Sequence, residues 1–399
     1  MNFTIPRSLW VDYGTTALRS AILLMAVAAA VWLGYEFWRL LWQSGEKGAI
    51  DLLQRHYEVQ AWFAGRPVYG DIWTAVYPPA SYAILWPLLG WLSETAVRWL
   101  WAVTTVFALM WLVSLCVCES GANTSLQRTF IALIPLSIYA TGATIGNGQL
   151  GVHILPFLVT GLLLLASKER SLGTDLLAAA MVLIALVKPT VSAPFFWIVI
   201  VVPGSLRPAI FVSMGYVALS FFAALFQPAG PITLIFKWFH RARVGIEWGT
   251  AKGGYVNEHS WLDYFKLDGL DTPASLLVLM ILGFWTYRYR RADIWTLMGV
   301  AALVARFWTY HMWFDDILIL LPMITLFRIA SQDPVSGNTD LLAGVLLGIT
   351  LLTMLAPGGL YLLPVPWNTL YVALQTIAWL AVLIFLLNHA RHERKVFNQ

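Results

Sequence analysis

The chain has 399 residues, of which 59% are hydrophobic and only 12% charged, with a net charge of +4. Soluble domains carry roughly 25% charged residues, so this composition excludes a water-soluble globule, a disordered chain and a nucleic-acid-binding protein. A membrane protein is left, and its small positive excess reads as the lysines and arginines that fix topology.

A transmembrane helix needs about 20 apolar residues. Runs of that length, or nearly so, cover residues 17–42, 96–118, 129–146, 149–167, 173–187, 190–203, 207–226, 274–287, 293–309, 313–330, 340–356 and 367–388, which predicts twelve spans in an all-α polytopic fold. The first run has no small-residue cleavage site, so it is expected to be a retained span and not a signal peptide. Residues 80–92 are shorter and interrupted by Pro87 and Gly90, the pattern of a re-entrant or interfacial segment. Twelve spans place Arg7 and Arg19, the Lys168 to Arg170 loop, Arg288 to Arg291 and the Arg391 to Lys395 tail all on the cytoplasmic side, as the positive-inside rule asks.

Two long connections, 43–95 and 227–272, then face outward. In the first, Leu52, Val59, Trp62 and Phe63 recur at helical spacing, and Gly65 with Pro67 ends the pattern. An amphipathic interfacial helix over 52–64 is expected. Asp51 stands at its start, either as an N-cap or as a general base beside the mouth of the bundle. Trp62, Trp73 and Tyr77 are candidate platforms for a sugar ring, and His56 reads as an interfacial residue. The second connection carries Lys237, Arg241, Arg243, Lys252 and Lys266, an excess that suggests an anion site.

Charges at span ends are costly unless they face a cavity or a partner. Glu36 and Arg39, three apart, read as an ion pair on one helix face. Lys188, Arg306, His311, Asp315 and Asp316 gather toward one side and suggest a polar cavity. Adjacent Asp315 and Asp316 invite a metal, but neighbours on a helix point about 100° apart, so salt bridges to Arg306 or Lys188 are expected, and neither metal nor cofactor. His153 reads as a core histidine bonded to a backbone carbonyl. Cys116 and Cys118 are too close in sequence for a mutual disulfide.

The order Asp51, Tyr57, Gly65-Arg66-Pro67-Val68-Tyr69, Tyr77-Pro78-Pro79, Pro87-Leu88-Leu89, Gly146-Asn147-Gly148-Gln149, Lys188-Pro189-Thr190, Asn257-Glu258-His259-Ser260 and Trp308 to His311 resembles glycosyltransferase family 87. Its members are polyprenyl-phosphate-mannose-dependent mannosyltransferases of the GT-C superfamily, and the resemblance runs roughly from Ala17 to Leu387. It implies one membrane-embedded GT-C-like domain that takes a hexose or pentose, mannose foremost, from a polyprenyl-phosphate donor to a glycolipid or polysaccharide acceptor. The setting implied is the extracytoplasmic side of a bacterial inner or plasma membrane. It makes Asp51 the base, and it lines the site with His311, Asn257, Glu258 and His259. The family often has Asn-Gln-Ser where this chain has Asn257-Glu258-His259-Ser260, a departure that bears on the sugar or acceptor. Read from the residues themselves, Lys188, Arg306 and His311 are candidates for holding the departing phosphate, with Gln149 and Tyr77 as further substrate contacts. One carboxylate without a partnered nucleophile suggests an inverting single displacement. A secondary transporter, and a polymerase or ligase of lipid-linked oligosaccharides, remain as alternatives.

Overall fold

The computed structural model describes residues 7–250, 257–331, 339–358 and 363–397. Helices dominate, and among the described residues the only β contact is an isolated bridge between Ile138 and Leu355. Four helices are long and apolar enough to cross a bilayer: Thr15–Trp42, Glu94–Glu119, Leu206–Ala224 and Trp367–Glu393. A fifth candidate is the pair Tyr139–Asn147 and Gly151–Ala166, bent by 116°. The lipid-facing character of the first and third is explicit. Leu23, Val27 and Val31 on one and Met214, Val217 and Phe221 on the other are all more than half exposed. Apolar stripes of that length with no protein cover need a hydrocarbon solvent. The protein is an all-α membrane protein.

The expected count of twelve spans does not follow from these helices. Each apolar run is helical, but several helices stop short of a bilayer's thickness: Leu172–Ala185 has 14 residues, Pro189–Val201 13 and Ile294–Phe307 14. At about 1.5 Å per residue, 13 or 14 residues reach roughly 20 Å against a hydrocarbon core of roughly 30 Å. Proline and glycine set the breaks. Pro189 opens one helix, and Gly148, at φ +69°, closes another. Apolar composition therefore continues across places where the helix does not.

Broken helices free backbone groups, which must find partners where water is scarce. Hydroxyls and indoles supply many of them. Thr141 donates to the Pro135 carbonyl at 2.6 Å, Ser192 to Ala185 at 2.5 Å and Thr144 to Phe314 at 3.0 Å. Trp32 donates to Tyr139 at 3.1 Å and Trp308 to Thr190 at 2.9 Å. These bonds tie the breaks of different helices to one another.

The elbow at residues 146–149 is fixed from the first span. Glu36 and Arg39 pair at 2.6 Å, and Arg39 also reaches the Lys47 carbonyl and, at 3.3 Å, the Asn147 side chain. Gly146 lies directly against this pair: a Cβ there would meet the Glu36 carboxylate at 1.7 Å. The amide of Ala49 donates to the Gly146 carbonyl at 2.9 Å, which docks the first connection on the same elbow. Gly146→Ala should therefore lower the thermal unfolding transition in detergent, with an overpacking cost of about 1–3 kcal/mol. Gly34→Ala, whose Cβ would meet nothing within 4 Å, should leave it unchanged or raise it, since Ala is favoured over Gly inside a helix by up to about 1 kcal/mol. Equal transitions for the two variants would contradict this packing.

Candidate functional site

The helix expected over 52–64 is Ile50–Phe63, and its N-cap is Ala49, held in the left-handed region at φ 51°. Asp51 therefore lies inside the first turn and is not the cap. Its side chain is left to face the bundle, where Gln149 hydrogen-bonds to it and the Lys188 ammonium lies close by. Asp51 is half-buried. Burial pushes the Asp51 carboxyl above the usual carboxylate range. Arg55, the bond from Gln149, and Lys188 pull it part of the way back, while the Asp315 charge opposes them.

Opposite Asp51 is a buried charge cluster built from three breaks. Gln149 follows the Gly148 turn, Lys188 precedes Pro189, and His311 lies in the non-helical stretch after Ile294–Phe307. Asp315 joins them. Lys188 Nζ donates to Asp315 Oδ1 at 2.6 Å and to Gln149 Oε1 at 3.3 Å. His311 Nδ1 is 3.1 Å from Asp315 Oδ2, and the Met312 amide donates to the same oxygen at 3.3 Å. With Nδ1 committed to a carboxylate, Nε2 is the nitrogen left for another molecule. His311 is fully buried and its Nε2 has no partner. A desolvated polar atom without a bond is costly, so Nε2 is a place for an incoming hydrogen-bond partner, a water or a ligand.

Asp316 turns the other way. It pairs with Arg306 and accepts from the Tyr139 hydroxyl, which in turn accepts from Gln375 at 3.1 Å. Arg306 thus belongs to a second buried pair, although its Nη1 has no partner. The two neighbouring aspartates serve different cations. No group of three or more His, Cys, Asp and Glu side chains suited to a metal occurs among the described residues.

On the helix of Asp51, Arg55 and Glu58 follow at one-turn intervals and point inward. They pair at 2.8 Å. Arg55 also donates to the Thr74 carbonyl at 3.0 Å and stacks over the Tyr77 ring at 4.6 Å, while Glu58 accepts from Thr74 at 2.7 Å and from Tyr82 at 3.3 Å. Tyr77 is thus held by a cation and is buried. The spacing 51, 55, 58 was visible in the sequence as one helix face.

Asn257, Glu258 and His259 form a neighbouring clasp. Asn257 caps the short helix Glu258–Tyr264 through a bond from the Ser260 amide at 2.9 Å. His259 Nε2 lies 2.8 Å from the Ser275 hydroxyl, which contacts Glu258 at 2.6 Å and the Trp308 carbonyl at 2.8 Å. These bonds pin the second connection to the chain three residues before His311. None of them reaches the Asp51 cluster directly.

Several expectations change. Trp62 is no sugar platform: it is fully buried, stacked on Tyr82 at 4.5 Å and bonded to the Ala223 carbonyl at 2.8 Å. Trp73 is exposed, so only its position in the connection recommends it. His56 is buried and bonded to the Leu92 carbonyl at 2.9 Å instead of lying at the interface. His153 meets the Thr104 hydroxyl at 3.1 Å where a backbone carbonyl was expected. The cations of the second connection do not converge: Arg241 bonds the Tyr69 carbonyl at 3.0 Å, Lys237, Arg243 and Lys266 are exposed, and Lys252 lies outside the described residues.

No protein-family model, curated protein or solved structure matches this chain.

Removing one partner of a buried ion pair leaves an uncompensated charge and costs about 3–5 kcal/mol. Lys188→Met should destabilise the protein by that order. Lys188→Met combined with Asp315→Asn, which keeps an acceptor for His311, should recover at least half. Unfolding in detergent is the measurement, and a single variant as stable as wild type would contradict a buried pair.

Proposed function

We propose that this protein is a membrane glycosyltransferase that moves a sugar, mannose foremost, from a polyprenyl-phosphate donor to a hydroxyl of a glycolipid or polysaccharide. The observation that carries this reading is a carboxylate with a raised proton affinity beside Gln149 and Lys188, which belong to a buried cluster in which His311 Nε2 lacks a partner. Displacement at an anomeric carbon asks for those two things: a base for the incoming hydroxyl and cationic or hydrogen-bonding groups for the departing phosphate.

In this mechanism the acceptor oxygen attacks the anomeric carbon as its proton passes to Asp51. The bond from that carbon to the phosphate oxygen breaks, and the electron pair leaves with the polyprenyl phosphate. Lys188 and His311 receive the phosphate charge, Asp315 holds both of them in position, and Gln149 orients Asp51. A single carboxylate in the base position gives inversion at the anomeric carbon. Long apolar helices suit a donor that reaches the site from the bilayer, and the architecture is read as GT-C-type, a bundle of spans and shorter broken helices with interfacial helices in its connections. The site is assigned to the extracytoplasmic face of a bacterial inner membrane, and no metal or organic cofactor is required by these steps.

Helices broken beside buried charges also occur in secondary transporters. Solute uptake by proteoliposomes without a glycosylated product would favour that reading over the enzyme.

Sugar transfer from a polyprenyl-phosphate donor by purified protein tests the assignment. Asp51→Asn should reduce turnover by about 10²–10⁴-fold, the usual contribution of general-base catalysis, with unfolding unchanged. Full turnover in a folded variant would remove the base. The same residue sets the pH dependence. A base acts when deprotonated, so a carboxyl whose affinity for protons is raised loses activity, as pH falls, sooner than a free aspartate with its pKa of about 3.9 would. Lys188→Met removes a cation that favours the charged form and should move this acid limb to still higher pH. A limb that stays in place would separate Lys188 from Asp51.

A further inference from the structure

Arg306 lies in the last turn of the helix Ile294–Phe307, and Asp316 follows ten positions later, in the seven-residue 3-10 helix Trp313–Ile319. The segment between them carries His311 and Asp315, two members of the charge cluster. It has little to hold itself in shape. Residues 308–312 are not helical, and a 3-10 helix has poorer hydrogen-bond geometry than an α-helix and seldom runs past three or four residues. At three residues per turn its neighbours point about 120° apart, so Asp315 turns to Lys188 and His311 while Asp316 turns to Arg306 and Tyr139. Arg306 is 2% exposed, its Nε donates to Asp316, and its guanidinium lies over the Trp379 ring, 5.7 Å from the centroid. The two ends of the segment are thus joined by a buried pair. Tyr139, which donates to the same carboxylate, opens the helix Tyr139–Asn147 and accepts from Gln375 of the helix Trp367–Phe397 at 3.1 Å.

We propose that Arg306 and Asp316 are positioning residues: their ion pair clamps the base of this segment and so sets where His311 and Asp315 stand. They act on a substrate through those two residues and not by touching it. A buried pair adds little stability over a well-packed apolar contact, but a guanidinium and a carboxylate hold each other in a defined orientation, which an apolar contact does not. The clamp shares its frame with the other side of the cluster. The helix Tyr139–Asn147 bonds Asp316 through its first residue, reaches the Phe314 carbonyl through Thr144 at 3.0 Å, and leads through the Gly148 turn to Gln149, which accepts from Lys188 at 3.3 Å. Both partners of Asp315 are therefore referred to one short helix. That the segment receives a phosphate rests on the glycosyltransferase reading; that the pair fixes the segment does not.

The test removes the pair without leaving a buried charge behind. Arg306→Met combined with Asp316→Asn takes out one charge of each sign and keeps an acceptor for Tyr139. Tyr139→Phe is the milder variant, which keeps the pair and frees one oxygen of Asp316. Full-length protein carrying ¹⁵N-labelled histidine, in lipid nanodiscs above neutral pH, is read by NMR, and the His311 signals are those lost in His311→Gln. In the wild type the bond to Asp315 holds the imidazole in one tautomer, with the proton on Nδ1 and Nε2 bare, so the two nitrogens should resonate far apart. They should move toward each other in the double variant as that bond loosens and the tautomers mix, and part of the way in Tyr139→Phe. Turnover of a polyprenyl-phosphate sugar by the double variant should fall about 10²-fold, the effect of a misplacement of about 1 Å, with the donor KM little changed. His311 signals that stay in place in every folded variant would overturn the clamp, and a raised donor KM beside unmoved signals would make Arg306 a direct ligand of the phosphate instead. Signals that move as expected in a protein whose wild type transfers no sugar would uphold the clamp and remove the glycosyltransferase reading.

Discussion

Asp315 takes a lysine and a histidine at once, in a place sealed from water, and much of the surrounding structure is arranged so that it can. Lys188 at 2.6 Å and His311 at 3.1 Å come from different helix breaks, and neither would be tolerated in an apolar bundle alone. Together the three residues form a compensated unit with one nitrogen to spare. Because a buried ion pair seldom adds stability over a well-packed apolar core, its presence here argues for use.

The constraint reaches outward through the backbone. Each side chain of the cluster lies where a helix breaks, and a break inside a membrane protein survives only if its freed amides and carbonyls are answered. Thr144 reaches across to Phe314, and Trp308 to Thr190. Gly146 leaves room for the Glu36 carboxylate, and the Glu36–Arg39 pair in turn steadies Asn147 and the elbow that presents Gln149. The helix carrying Asp51 docks on that elbow through Ala49. The buried charge cluster and the membrane packing are thus satisfied by one set of bonds.

The membrane class was legible from composition alone, because 12% charged residues cannot cover a soluble surface of this size. The positions of helices were legible from apolar runs; their lengths were not, since Leu, Val and Ala continue unchanged through breaks that only Gly148 and Pro189 announce. Lys188, His311 and Asp51 stood out as ionisable residues among apolar ones. That Lys188 and Asp315 are partners, 127 positions apart, depends on tertiary folding that no local pattern encodes. Asp51 looked like a helix cap because the left-handed backbone of Ala49, which carries that duty, has no signature in an alanine. Trp62 looked like a sugar platform because an aromatic in a connection is indistinguishable, by sequence, from one buried under Tyr82.

Donor choice bears most directly on this view of the molecule. Purified protein in lipid nanodiscs, given a radiolabelled hexose either on a polyprenyl phosphate or on a nucleotide, should form glycosylated product from the lipid-linked donor alone, with inverted anomeric configuration. Transfer from the nucleotide sugar and none from the polyprenyl-phosphate sugar would contradict it.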